Sequence, residues 1–150
     1  MSGFMEAFMR ASKLMRAATE VGLRRHGLHL GQNHVLAVLW ERDGRTPGEI
    51  ATVLHVTTPT IVKMATRMTA AGLLTRRRDG ADNRLVRLHL TDAGRAVQGA
   101  VQDELRALET AVTAGFTEAE RAVLTAAFEK MAANALTLAV DPQEDGRRAT

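Results

Sequence analysis

From Phe4 to about Arg25, apolar side chains return at Phe4, Phe8, Ala11, Met15, Ala18 and Gly22, with no proline among them. Steps of four and three predict an amphipathic helix carrying a single apolar seam. A second helical pattern runs from about Gly31 to Arg42, with Val35, Leu36, Leu39 and Trp40 on one side, until Asp43-Gly44 stops it. Thr46-Pro47-Gly48-Glu49 then reads as a helix start, in which Thr46 accepts from a free N–H, Pro47 suits the first turn and Glu49 reaches back. That helix is short, ending near Leu54. After the brief turn His55-Val56-Thr57, Thr58-Pro59 repeats the cap-plus-proline signal for a helix from Pro59 to about Ala71. Two short helices joined by so tight a turn make a helix-turn-helix outline. In the second of them Ile61, Met64, Ala65 and Met68 share the core face, while Thr60, Lys63 and Arg67 lie opposite.

Past Gly72 the period changes from 3.6 to 2. Leu73 to Arg78 predicts one strand and Arg84 to Leu90 another, with Val86, Leu88 and Leu90 on one face and Arg87 and His89 on the other. The turn-rich Asp79-Gly80-Ala81-Asp82-Asn83 between them makes a ribbon with a polar, arginine-flanked tip. Thr91-Asp92 caps a long predicted helix with a stripe at Val97, Val101, Leu105, Leu108 and Val112. Ala114-Gly115 ends it, and Thr117-Glu118-Ala119-Glu120 opens a last helix, to about Leu138, bearing Val123, Ala127, Met131 and Leu138. The polar stretch 141–150 reads as a flexible tail. The predicted class is mainly α with a small two- or three-stranded β wing. A lobe at 31–90 is flanked by helical regions at 1–30 and 91–140, whose apolar seams need a second copy of the chain to cover them.

Composition narrows this further. The chain has 150 residues, 45% of them hydrophobic and 25% charged, which fits one globular domain and excludes wholesale disorder. There is no cysteine, so disulfides, thiolate metal sites and thiol redox sensing are excluded. No apolar run approaches the ~20 residues that span a bilayer, and no signal peptide or membrane association is expected. The net charge of +3 hides a segregation. Residues 57–90 hold seven Lys and Arg against two acids, a local +5, whereas 96–150 hold five bases against nine acids. Nearly all the central charge is arginine, whose planar fork suits phosphate and base edges.

The histidines His26, His29 and His34 invite a metal reading, but they lie on a connector and the turn after it, without a dense carboxylate set. No metal, no cofactor and no catalytic residue is expected. No nucleophile elbow, Gly-rich phosphate loop, HExxH or paired-carboxylate motif is present.

Thr46-Pro47-Gly48-Glu49-Ile50-Ala51 through Leu54, then Thr57, Thr60 and Ile61, Gly72-Leu73-Leu74 with Arg77, Asp82-Asn83-Arg84, Leu90-Thr91 and Gly94-Arg95 together resemble the MarR family of winged helix-turn-helix transcription regulators. Leu28-His29-Leu30-Gly31-Gln32 looks like the family's second-helix start. The resemblance covers roughly residues 28–112 in sequence, and its most specific part is the Asp-x-Arg turn with Leu-Thr closing the next strand. Thr58 and Val62 stand where more polar residues are expected, and His29 where a threonine is usual.

The resemblance implies a cytoplasmic homodimer, most simply a repressor, on a pseudo-palindromic double-stranded DNA operator. The helix 59–71 enters the major groove, and the wing around Arg84 reaches the adjacent minor groove. The expected DNA set is Thr57, Thr58, Thr60, Lys63, Arg67, Arg76, Arg78, Asp82 and Arg84, with Asp82 orienting the Arg84 guanidinium by a bidentate pair. Small aromatic or phenolic effectors bind members of this family between the dimer helices and the DNA-binding lobe, which nominates Arg16, His34 and Trp40. The alternatives are a winged-helix module that binds protein rather than specific DNA, or an unrecognised small helical enzyme. A protein-binding winged helix has no need to keep Thr60, Lys63, Arg67 and Arg84 together on one side.

Overall fold

The computed structural model describes residues 3–139. In chain order it contains α1 (Gly3–Arg24), α2 (Gln32–Glu41), α3 (Pro47–Leu54), α4 (Thr58–Ala70), β1 (Leu74–Arg78), β2 (Val86–Leu90), α5 (Asp92–Ala96), α6 (Gln98–Val112) and α7 (Glu118–Ala139). The tail expected at 141–150 lies outside the described residues. The chain divides into two units, residues 1–112 and 113–150.

In the first unit one core gathers Leu23 from the end of α1, Val35, Leu36 and Leu39 from α2, Ile50 from α3, and Ile61, Ala65 and Met68 from α4. Leu74 and Leu88 from the strands and Val101 from α6 join them, all buried. Each buried Leu, Ile or Met contributes about 1.5–3 kcal/mol relative to exposure, so this shared core fixes how the two short helices sit against the hairpin. Thr46 caps α3 as its sequence predicts: its hydroxyl accepts from the Glu49 N–H at 3.2 Å, and Glu49 accepts from the Thr46 N–H at 3.0 Å.

β1 and β2 pair antiparallel with Leu74 opposite Leu90, Arg76 opposite Leu88 and Arg78 opposite Val86. A third strand is reduced to one bridge, Arg45 to Leu88. The predicted strand from Arg84 begins two residues late, because Arg84 and Leu85 are used by the turn. Asp82 takes the Arg84 N–H, and the Leu85 N–H returns to the Asp82 carbonyl.

The predicted long helix after Thr91 is two helices, broken at Val97, whose ψ of −11° leaves the helical range. The Gly94 carbonyl, which an unbroken helix would offer to Gln98, accepts from the Trp40 indole N–H at 2.9 Å. Gly94 is buried against the Leu73 carbonyl, where a Cβ would come within 2.2 Å of the oxygen. That approach brings the start of α5 onto the base of the wing.

Two glutamates tie α1 and its connector down. Glu20 receives the Leu30 N–H at 2.5 Å and lies 2.8 Å from His29 Nδ1 and 2.9 Å from Arg24 Nε. The backbone N–H first, then His29 and Arg24, hold its carboxyl down at about 2. Glu104 on α6 packs over Gly22 and meets Arg25 at 2.9 Å and His26 at 3.0 Å.

Much of α1's seam is uncovered within the chain: Phe4, Phe8, Met9 and Met15 are exposed. In the second unit α7 starts on the predicted capping box, Thr117 N–H to Glu120 and Glu120 N–H to Thr117, and buries no residue at all.

Candidate nucleic-acid interface

The turn between α3 and α4 is set by His55, the single non-glycine residue at positive φ among the described residues (φ 54°, ψ 43°). Its N–H reaches the Thr52 carbonyl and the Val56 N–H the Ala51 carbonyl, a left-handed helix end that reverses the chain in few residues. α4 begins one residue before the predicted start, with Thr57 rather than Thr58 as N-cap. The Thr57 side chain caps no backbone N–H; its hydroxyl pairs with that of Thr60 at 2.8 Å. The first turn's N–H groups therefore stay uncapped by side chains at an exposed helix start, an arrangement suited to a phosphate oxygen.

With Ile61, Ala65 and Met68 turned inward, α4 presents Thr58, Thr60, Val62, Lys63, Thr66 and Arg67 outward, all exposed. The side chains of Lys63 and Arg67 make no ion pair or hydrogen bond among the described residues, so both cations are available to a partner. Val62 offers an apolar surface of the kind that meets a thymine methyl.

The hairpin's arginines divide by strand parity, since side chains at i and i+2 share a face. Arg76 follows Leu74 by two and lies on the core-side face over α4, where its Nη2 donates to the Thr66 hydroxyl at 2.5 Å and to the Val62 carbonyl at 3.4 Å. Arg78 Nη1 donates to the Asn83 carbonyl at 2.8 Å and closes the wing loop on itself. Arg77 lies on the other face opposite Arg87.

Arg87 is spoken for by three groups. It donates to the Gly44 carbonyl at 2.9 Å and pairs with Asp79 at 3.5 Å and with Glu49, the capping residue of α3, at 3.7 Å. Asp43 extends the link by accepting the Leu90 N–H at 2.9 Å and pairing with Arg95 at 3.2 Å. Sequence reasoning missed Arg87, Asp43 and Thr66. The alternation along β2 put Arg87 on the polar face, but two of its partners lie far back in the chain, the Gly44 carbonyl 43 positions away and Glu49 on α3.

At the tip, Arg84 has 90% of its side chain accessible. The expected bidentate pair with Asp82 is a single-oxygen contact: Asp82 Oδ1 accepts from both the Arg84 backbone N–H, at 3.0 Å, and Nε, at 3.2 Å. Half the carboxylate is used to hold the turn, so the outer edge of the guanidinium is left pointing away from the protein.

A groove of about 370 Å³ in the first unit is lined by His34, Trp40, Glu41, Gln98 and Gln102 among others. Arg16 is not among its lining residues, and the Trp40 indole N–H is already committed to Gly94. His26 and His29 are paired with separate glutamates, and no group of three or more metal-binding side chains occurs among the described residues. No helix among them is long and apolar enough to cross a membrane.

Comparison with known proteins bears on this geometry. Residues 28–86 match the MarR family model. Over 77 residues the chain is 39% identical to the HTH-type transcriptional regulator TtmR of Methylorubrum extorquens, a match covering 51% of this chain and 40% of that protein's length. Among solved structures, the MepR–DNA complex of S. aureus superposes with a TM-score of 0.81 at 24% identity, over 89% of this chain and 99% of MepR. Reduced AbfR bound to DNA superposes with a TM-score of 0.76 at 26% identity, over 90% and 91% of the two chains. A MarR transcriptional regulator from Methanosarcina mazei gives 0.78 at 20% identity, over 90% and 97%.

Proposed function

From the premise that residues 28–86 of this chain are a MarR-family winged helix, we propose that the protein is a homodimeric regulator of transcription that binds double-stranded DNA at a pseudo-palindromic operator. One observation carries the reading: Lys63 and Arg67, whose side chains have no partner among the described residues on the exposed face of α4, stand on the same winged helix as the exposed Arg84 of the wing tip. α4 lies in the major groove with Thr57, Thr58, Thr60, Lys63 and Arg67 toward phosphates and base edges. Arg84, held by Asp82, enters the neighbouring minor groove, where the potential is most negative. MepR and AbfR, whose folds this chain shares, have been solved on DNA.

Dimerisation is supported by the uncovered apolar side chains. Phe4, Phe8 and Met15 on α1, and Val123, Leu124 and Phe128 on α7, are exposed in a single chain. An amphipathic helix such as α1 buries its seam against another surface, α7 adds uncovered apolar side chains, and a two-fold pairing covers both copies at once. It also sets two recognition helices about 34 Å apart, one turn of B-DNA. The helical regions 1–30 and 91–140 are then the dimerisation regions, and 31–90 the DNA-binding lobe. The protein acts in the cytoplasm, as a repressor released by a small aromatic or phenolic ligand. The groove beside His34 and Trp40 is the place for that ligand, which shifts the dimer only by binding its two shapes unequally.

Footprinting on the DNA flanking the protein's own gene, together with sedimentation of the free protein, tests the reading. The expected result is a dimer protecting a pseudo-palindrome with half-sites one helical turn apart. A monomer, or binding that no DNA sequence changes, overturns it in favour of a protein-binding winged helix.

A further inference from the structure

The proposed function leaves open how the two DNA-reading parts, the middle of α4 and the tip of the wing, are kept in register. The apolar contacts at the base of the hairpin, Leu74 and Leu88 in the core with Met68, are non-directional and lie at one end of the ribbon. Among the described residues, the polar link from the hairpin to α4 is Arg76. Its Nη2 donates to the Thr66 hydroxyl at 2.5 Å and to the Val62 carbonyl at 3.4 Å, while the Thr66 hydroxyl donates to that same carbonyl at 2.9 Å. The three groups form a closed knot on the wing-facing flank of the helix, halfway along it.

Strand parity sends Arg76 there. It shares a face with Leu74 and sits directly across from Leu88, so its stem runs along the core edge and its planar fork emerges beside α4. Both bonds leave the one nitrogen Nη2; a lysine at this position has donors enough, but its stem is one atom shorter and its ammonium stops short of α4.

We propose that Arg76 is a positioning residue: a strut that fixes the wing relative to the recognition helix, and so sets operator discrimination without itself contacting phosphate. The inference rests on the DNA-binding reading above. It assigns to one of the central arginines a role opposite to that of a phosphate contact, and the two roles differ in what salt and sequence do to binding. A phosphate contact adds to affinity for every duplex and to the salt dependence. A strut adds to affinity only for the duplex whose groove spacing matches the fixed geometry.

The test compares full-length wild type with Arg76→Lys and Arg76→Met. The probes are a duplex enriched by the wild type from a random library and a scrambled duplex of the same length and composition. Both variants are expected to lose discrimination between the duplexes by roughly tenfold, the scale of one lost hydrogen bond to a charged group. Arg76→Met is expected to keep the wild-type salt dependence on the scrambled duplex. Amide exchange in the DNA-free variants is expected to quicken across residues 78–86 with α4 still protected.

If Arg76→Lys discriminates as well as wild type, or if Arg76→Met loses equal affinity for both duplexes with a shallower salt dependence, Arg76 is a plain phosphate contact and the strut is refuted. Unchanged exchange in the hairpin refutes it as well, independently of any DNA. If the wild type itself enriches no duplex, the proposed function falls, and Arg76's part in discrimination falls with it.

Discussion

Arg84 and Arg87 lie three residues apart on the same hairpin, and replacing each by alanine separates recognition from architecture. The Arg84 side chain is 90% exposed and is held by one carboxylate oxygen at 3.2 Å. An exposed pair of this kind contributes about 0.2–1 kcal/mol to stability. Arg84→Ala should therefore melt within a few degrees of wild type. If the guanidinium enters the minor groove, its loss costs about 1–3 kcal/mol of operator binding per contact, and both wings of a dimer lose it together.

Arg87 is 31% exposed and satisfies the Gly44 carbonyl, Asp79 and Glu49 at once. Its removal takes the shared cation from Asp79 and Glu49 and breaks a charged hydrogen bond to the Gly44 carbonyl worth about 1.5–3 kcal/mol. For a domain of this size that corresponds to a fall in Tm of roughly 3–12 °C. Circular-dichroism melts and fluorescence anisotropy on the footprinted operator, in one buffer, read both quantities. The expected pattern is crossed: Arg84→Ala stable and weak in binding, Arg87→Ala unstable. If Arg84→Ala binds as tightly as wild type, the wing assignment is wrong. A loss of stability equal to that of Arg87→Ala would show that the tip pair is structural.

Two further outcomes follow from the packing and ionisation of the first unit. Gly94→Ala puts a methyl 2.2 Å from the Leu73 backbone oxygen, which also accepts the Thr91 N–H and cannot yield cheaply. Overpacking of about 1–3 kcal/mol outweighs any gain in helix propensity. The single tryptophan, Trp40, bonded to Gly94, reports the change in fluorescence-monitored urea unfolding, and an unchanged midpoint would contradict the contact. The Glu20 carboxyl is held at about 2, below its ordinary 4.5, so its contribution is complete above pH ~4.5 and is lost as pH falls toward 2. Glu20→Gln should flatten the decline of the urea midpoint across that window and leave the rest of the profile alone; coincident profiles would show that the carboxylate is not what the connector depends on.

The parts of this fold that were legible in the sequence are those fixed by neighbours in the chain. The Thr46 to Glu49 and Thr117 to Glu120 boxes, the inward Ile61, Ala65 and Met68, and the alternation of Val86, Leu88 and Leu90 each depend on residues within a turn or two. The break at Val97 does not, because the Trp40 indole that takes the Gly94 carbonyl comes from 54 positions earlier. The fate of the arginines was hidden for a related reason. Composition counts charges as if all faced solvent, whereas strand parity and distant carbonyls decide which do. Arg76, two residues beyond the buried Leu74, could have been placed on the core-side face from the alternation alone. Its acceptor Thr66 could not, since a threonine in mid-helix shows no sign of a partner from the sheet. The seam of α1, read as unpartnered from its spacing, is exposed in the single chain from Phe4 to Ala18, while its last member, Gly22, is covered by Glu104.

The same partition changes what the central +5 segment means for binding. Of its seven cations, Arg76, Arg78 and Arg87 donate to carbonyls inside the chain, while the side chains of Lys63, Arg67 and Arg77 have no acceptor among the described residues and Arg84 has half of one. If all seven met phosphates, a dimer would neutralise fourteen, and log K would fall with log salt at a slope of about −13. With the four outward cations the segment's share is limited to about −7. Differences between variants isolate the segment from the rest of the interface. Lys63→Met should make the slope shallower by about 2 per dimer, whereas Arg78→Met, which empties a bond to the Asn83 carbonyl, should leave it unchanged. Binding isotherms of the two variants on one operator between 50 and 300 mM salt are sufficient. A slope that Arg78→Met weakens as much as Lys63→Met does would mean that the wing arginines abandon their carbonyls for phosphate. The hairpin would then be a flexible arm that DNA reshapes, rather than a frame that reads it.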